Sequence, residues 1–133
     1  MFNIENFLTV VVAQNADAMR TYLAPDAVVC WHETNEQFTA EEYIRANCEY
    51  PGAWTHSIKR TDSLPNGLVV VYLLSSCDED LEFYVTAFIK LQDGKTTHLD
   101  EYYCHCSAAP QWRLDMNIGK PIDPTKASNT KGW

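Results

Sequence analysis

The chain has 133 residues, enough for one domain with a real core, and its 46% hydrophobic and 21% charged residues are those of an ordinary folded protein. A net charge of −8, with only ten scattered Lys and Arg, argues against nucleic acid or an anionic membrane as partner, since both need clustered cations. No cationic leader and no apolar run of about 18 residues is visible, and the five cysteines (Cys30, Cys48, Cys77, Cys104, Cys106) form no framework pattern. The expectation is a cytoplasmic protein with reduced thiols and no membrane span.

Asn3 precedes Ile4, Phe7, Leu8, Val11 and Val12, apolar positions at helical spacing, so residues 4–14 read as a helix capped by Asn3. Asn15 or Asp17 can cap a second short helix running through Leu23, with Ala18, Met19 and Tyr22 facing inward and Pro25 ending it. Ala27 to His32 is a β-rich run and reads as a first strand. Thr39-Ala-Glu-Glu42 matches the capping box and opens a third helix to about Tyr50, stopped by Pro51-Gly52.

The remainder is β. Strands are expected at Thr55–Ser63, Leu68–Ser76, Leu81–Leu91 and Lys95–Cys106, separated by Pro65-Asn-Gly67, Cys77-Asp-Glu-Asp80 and Gln92-Asp-Gly94. The segment after Ser107 has little periodicity; Trp112 and Pro121-Ile122 are expected to pin its first part, and Thr125 to Gly132 to fray. Three helices and a strand followed by a four-strand meander define an α+β domain, with helices covering one face of a curled antiparallel sheet.

The last strand carries the most chemical information. Strand alternation puts Thr97, Leu99, Glu101 and Tyr103 on one face and His98, Asp100, Tyr102 and Cys104 on the other. A carboxylate between Leu99 and Tyr103, on the more apolar face, is either a defect or a tool. Burial would raise its pKa toward the range of a general base, and a nearby tyrosine hydroxyl could stabilise an enolate-like oxygen. Against this stands an ordinary ion pair of Glu101 with Arg113 or Lys59. A one-residue error in the face assignment would hand the site to Asp100, His98 and Tyr102 instead.

The element order, the Asp93-Gly94-Lys95 turn, the Leu99-Asp-Glu-Tyr-Tyr103 strand and the Trp112-Arg113 and Gly119-Lys-Pro-Ile122 closure resemble the nuclear transport factor 2-like superfamily, most nearly its SnoaL-like bacterial proteins. The resemblance spans about residues 4–122, leaving 123–133 as a C-terminal tail of a single domain. It implies a cone-shaped, strongly curved sheet with a pocket in its concave face, and a homodimer through the outer face. It places the family's pocket acid on Glu101, and it places the first strand, with Trp31 and His32, beside the pocket. The epoxide-hydrolysing branch carries an Arg and a second Asp where this chain has Leu73-Leu-Ser-Ser76, which argues against that activity here.

The expected machinery is therefore Glu101 as base, with Tyr103 and His32 as hydrogen-bonding partners. Trp31, Tyr43, Trp54, Tyr72, Phe83, Phe88, Leu99 and Trp112 would line a pocket for a small, largely apolar molecule. His56, beside Trp54, would sit near its mouth. The reaction to expect is proton abstraction next to a carbonyl, isomerase- or cyclase-like, with no cofactor; the alternative is a binding or dimerisation module without turnover. Cys104-His-Cys106 is not read as a metal site, because alternation splits His105 from both thiols.

Overall fold

In the computed structural model, which describes residues 1–126, the elements are α1 (Ile4–Val12), α2 (Ala16–Arg20), β1 (Leu23–Trp31), β2 (Glu36–Thr39), α3 (Ala40–Cys48), β3 (Trp54–Leu64), β4 (Gly67–Ser76), β5 (Glu82–Gln92), β6 (Lys95–His105) and α4 (Gln111–Leu114). Every expected helix cap is in use. The side chains of Asn3 and Asn15 accept from the backbone N–H of Asn6 and Ala18, and Thr39 with Glu42 forms a reciprocal capping box. Asp93 and Gly94 both adopt positive φ, 53° and 77°, the twist that a tight β5–β6 hairpin demands.

The six strands form one sheet in the order β2-β1-β6-β5-β4-β3. β3 to β6 are the expected antiparallel meander, whereas β1 joins parallel to β6 and so inserts the N-terminal segment beside the strand that carries Glu101. The fold is α+β, with a curled and open sheet, as the sequence led us to expect. The core lies where α1 to α3 cover the sheet, around Phe7, Met19, Val29, Ile44, Val70, Val85, Ile89 and Leu99.

Four local expectations need correction. The second helix ends at Arg20, not Leu23, and the first strand already starts at Leu23, carrying Pro25 within it. Glu36–Thr39, a stretch to which the sequence reading assigns no element before the Thr39 cap, is an edge strand paired with β1; its four residues are too few to show a period. On β6, the register against β5 shifts between Lys90 and Leu91, so that Leu91 faces Thr96 and Lys90 faces His98. Thr97 is thus the extra residue of a bulge, and Thr96 takes the fully buried position that alternation had assigned to Thr97. Finally, Trp112 and Ile122 do not pin the closing segment, being 64% and 105% exposed. Most of the segment expected to fray, residues 127–132, lies outside the described residues.

Candidate functional site

Glu101 faces inward with Leu99 and Tyr103, and only 4% of it is exposed. Its strand neighbour Trp31, the register partner on parallel β1, donates Nε1–H to Oε1 at 3.1 Å. Tyr72 of β4 donates its hydroxyl to Oε2 at 2.9 Å. That second bond spans β5, which presents Val85 and Ala87 on this face. The register partner of Tyr72 is Val85 and that of Glu101 is Ala87, so the phenol crosses β5 on a diagonal. The alternative, an ion pair with Arg113 or Lys59, is not formed: both oxygens of Glu101 are held by neutral donors.

Burial pushes the Glu101 carboxyl above its usual range, against the opposing effect of the Tyr72 and Trp31 hydrogen bonds. The phenols of Tyr43, Tyr72 and Tyr103 are raised well above 10, by burial first and by the Glu101 charge second. All three are neutral hydroxyls near pH 7.

These groups surround a cavity of about 290 Å³ between the sheet and helices α1 and α3. Its floor is Glu101 with Tyr72, Tyr43 and Tyr103, and its mouth carries Glu33, Thr34, Gln14, Asn47 and Tyr50. Six of its rings form a continuous belt. Tyr43 meets Trp31 at 6.3 Å, Trp31 meets Tyr103 at 6.2 Å, and Tyr103 meets Phe83 at 5.8 Å. Phe83 then meets Trp54 at 6.1 Å and Trp54 meets Tyr50 at 5.6 Å. These spacings are those of favourable aromatic pairs. Side-chain amides brace the mouth: Asn47 Nδ2 donates to the Val11 carbonyl, and Gln14 Nε2 donates to the carbonyls of Asn47 and Tyr50.

Of the residues expected in the pocket, Trp31, Tyr43, Trp54, Tyr72, Phe83, Glu101 and Tyr103 line the cavity. The others do not. Phe88 stands on the opposite face of β5, 43% exposed, with its ring 6.2 Å from Tyr102, because alternation from buried Ala87 turns it outward. Leu99 is buried in the hydrophobic core outside the cavity lining. Trp112 lies on the exposed one-turn helix α4. His32 follows Trp31 and therefore turns to the outer face, where its Nε2 meets Asp100 Oδ1 at 2.8 Å and its ring stacks on Tyr102 at 4.2 Å. It cannot partner Glu101 through its side chain, although its backbone N–H donates to the Glu101 carbonyl. The alternative set, Asp100 and His98, shares that outer face. His56 bonds Glu5 of α1 at 3.0 Å and ties β3 to that helix, not to the cavity.

Sequence reasoning missed Glu33, Thr34, Gln14, Asn47 and Tyr50. They lie in turns and helix ends, where no periodicity announces a direction. The sequence also gave no hint that Cys30, His32 and Asp100 would place ligand-type atoms within 4.8 Å of one another on the outer face, the one such grouping among the described residues. These could hold a metal ion, but burial and the Asp100 charge raise the Cys30 thiol above its usual range, and His32 and Asp100 already bond each other.

No family model and no curated protein matches the sequence. Solved structures do match, and they define the class: this chain has the nuclear transport factor 2-like fold, shared with ketosteroid isomerase-like and SnoaL-like proteins. A Kribbella flavida protein described provisionally as a ketosteroid isomerase superimposes with a TM-score of 0.75 at 19% identity, over 92% of this chain and 90% of that one. A Catenulispora acidiphila protein with a ketosteroid isomerase-like fold, solved in complex with trimethylamine, gives 0.68 at 11% identity over 76% and 84%. A Shewanella putrefaciens protein described provisionally as a SnoaL-like polyketide cyclase gives 0.65 at 11% identity over 75% and 85%. At such identities the likeness speaks for the fold alone.

Proposed function

We propose that the protein binds a small molecule in the aromatic cavity and that Glu101 accepts a proton from a carbon next to a carbonyl of that molecule, an isomerase- or cyclase-like step without a cofactor. The observation that carries this reading is the state of Glu101: a buried carboxyl facing a cavity, held by two neutral donors, with no cation beside it among the described residues. Removal from water raises its affinity for a proton toward the range useful near neutral pH, and a placed base of this kind supplies about 10²–10⁴ in rate. Trp31 and Tyr72 fix the carboxylate in place, while the phenols of Tyr43 and Tyr103 supply neutral hydroxyls to a ligand oxygen.

The second reading is a binding module without turnover. It is favoured by the engagement of Tyr72, which spends its hydroxyl on Glu101 instead of on a ligand oxygen. The Catenulispora acidiphila protein, solved in complex with trimethylamine, supports it as well as a case of this fold with a small molecule bound.

A panel of steroids, cyclic polyketides, lactones and small aromatic acids, screened by thermal shift, tests both. A ligand at about 100 times its dissociation constant adds about 2.7 kcal/mol, roughly a ten-degree rise for a domain of this size. For any ketone or lactone that binds, deuterium exchange at the carbon next to the carbonyl is then followed by NMR. Exchange that is catalysed by the wild type and lost in Glu101→Gln supports the base; binding with no exchange in either protein leaves the module. Outer-face association into a homodimer and a cytoplasmic location belong to the same proposal, and sedimentation of the purified chain checks the former.

A further inference from the structure

The cavity has a charge character beyond its one buried base. Among the described residues its lining contains two carboxylates, Glu101 at the floor and Glu33 at the mouth, and no Lys, Arg or His. The rest of the surround is dominated by the ring belt described above. From this combination we infer that the ligand carries a positively charged, alkylated nitrogen, a tertiary or quaternary ammonium held between the aromatic belt and the two carboxylates. The inference rests on the cavity being a ligand site, as proposed above, but not on turnover.

A carboxylate out of water without a cation is costly, and a cationic ligand supplies the missing partner. Ring faces carry the negative end of a quadrupole, so several rings around one cation add attraction that a neutral group of the same shape does not receive. An alkylated ammonium is also weakly hydrated compared with a bare one, so it enters an apolar cavity at lower cost. Anions are disfavoured by the same features, since no basic side chain of the lining offsets the two like charges. The net charge of −8 draws cations toward the protein over a longer range. A positive nitrogen beside a carbonyl also acidifies the C–H bonds between them, so the cation and the proton-transfer reading are chemically compatible.

The experiment compares choline with 3,3-dimethylbutan-1-ol, in which a carbon replaces the nitrogen without change of shape, and with 3,3-dimethylbutanoate, an anion with the same bulky head. Binding to the full chain is followed by calorimetry and by the tryptophan indole NMR signals. Choline is expected to bind at least about tenfold tighter than the alcohol, and the anion not at all. The preference should collapse in Glu101→Gln and fall about two- to threefold in Glu33→Gln, an exposed change that leaves the fold intact. In Trp54→Leu choline should weaken more than the alcohol. Equal binding of choline and alcohol by the wild type overturns the cation assignment while leaving the pocket reading in place, as does a preference that survives both Glu substitutions. Failure of choline where neutral carbonyl compounds bind overturns it too. Silence from these probes and from the whole panel strikes the pocket reading itself.

Discussion

Replacing Tyr72 by Phe removes one oxygen atom from the floor of the cavity and leaves Glu101 Oε2 without its donor at 2.9 Å. A hydrogen bond to a charged group is worth about 1.5–3 kcal/mol, and here the acceptor is buried, so water does not readily replace the phenol. The expected destabilisation near neutral pH is about 2 kcal/mol, or roughly 6–10 °C in Tm for a chain of this length. The sign of its pH dependence follows from the carboxylate. Burial raises the folded-state pKa of Glu101 above its unfolded value, so this group favours folding below the unfolded pKa, and that contribution is lost as pH rises through the folded one. The Tyr72 bond opposes the shift by stabilising the ionised form. Tyr72→Phe should therefore cost least in acid, where Glu101 is protonated, and most in mildly alkaline solution. Denaturant unfolding of wild type, Tyr72→Phe, Glu101→Gln and the double variant across that range gives the coupling energy directly. A cost that is flat with pH, or a coupling within error of zero, would refute the assignment of Tyr72 as the donor that holds an ionisable Glu101.

Glu101→Gln alone should gain stability relative to wild type as pH rises through the raised carboxyl pKa, because it removes a buried charge; a parallel pair of stability–pH curves contradicts this. Gly67→Ala should destabilise by more than about 2 kcal/mol in urea unfolding, since a Cβ there would lie 1.8 Å from the Ile89 carbonyl oxygen, and backbone cannot step aside as a side chain can. Thr39→Ala, which breaks the capping box at the start of α3, should cost about 1 kcal/mol by the same measurement and leave ligand affinity unchanged. In a spectrophotometric pH titration, three of the seven tyrosines should resist ionisation well beyond the others until the protein unfolds.

What could be read from the sequence divides along the range of the interaction. The caps at Asn3, Asn15 and Thr39 were legible because a cap is a contact over three residues. The meander was legible because turns and alternation are local. The inward face of Glu101 was legible from Leu99 and Tyr103 on the same strand, despite the bulge at Thr97, because that bulge lies before Leu99 and leaves the alternation after it undisturbed. His32 is the instructive failure. Its position after Trp31 already fixed it on the opposite face from Trp31, so the two could not both meet the pocket through their side chains; only family likeness put them there together. Tyr72 as the donor to Glu101 could not be foreseen, since the pair is 29 residues apart and meets on a diagonal across a third strand, β5.

That diagonal across three strands connects fold to site. Tyr72 pairs with Val85 and Glu101 with Ala87, so the phenol reaches the acid on a diagonal across β5. The site thus depends on a pattern across three strands: acid on β6, phenol on β4 and β5 between them, with an indole from parallel β1 closing the other side. Each part is ordinary for a sheet interior, where aromatics and Ala are common. Their juxtaposition is not, because burying a carboxyl with neutral donors alone gives up stability that an apolar side chain of similar volume would have kept. A packing role explains Val85, Ile89 and Leu99 nearby without remainder. It does not explain Glu101, whose burial beside an open cavity makes physical sense when something enters that cavity to use the charge.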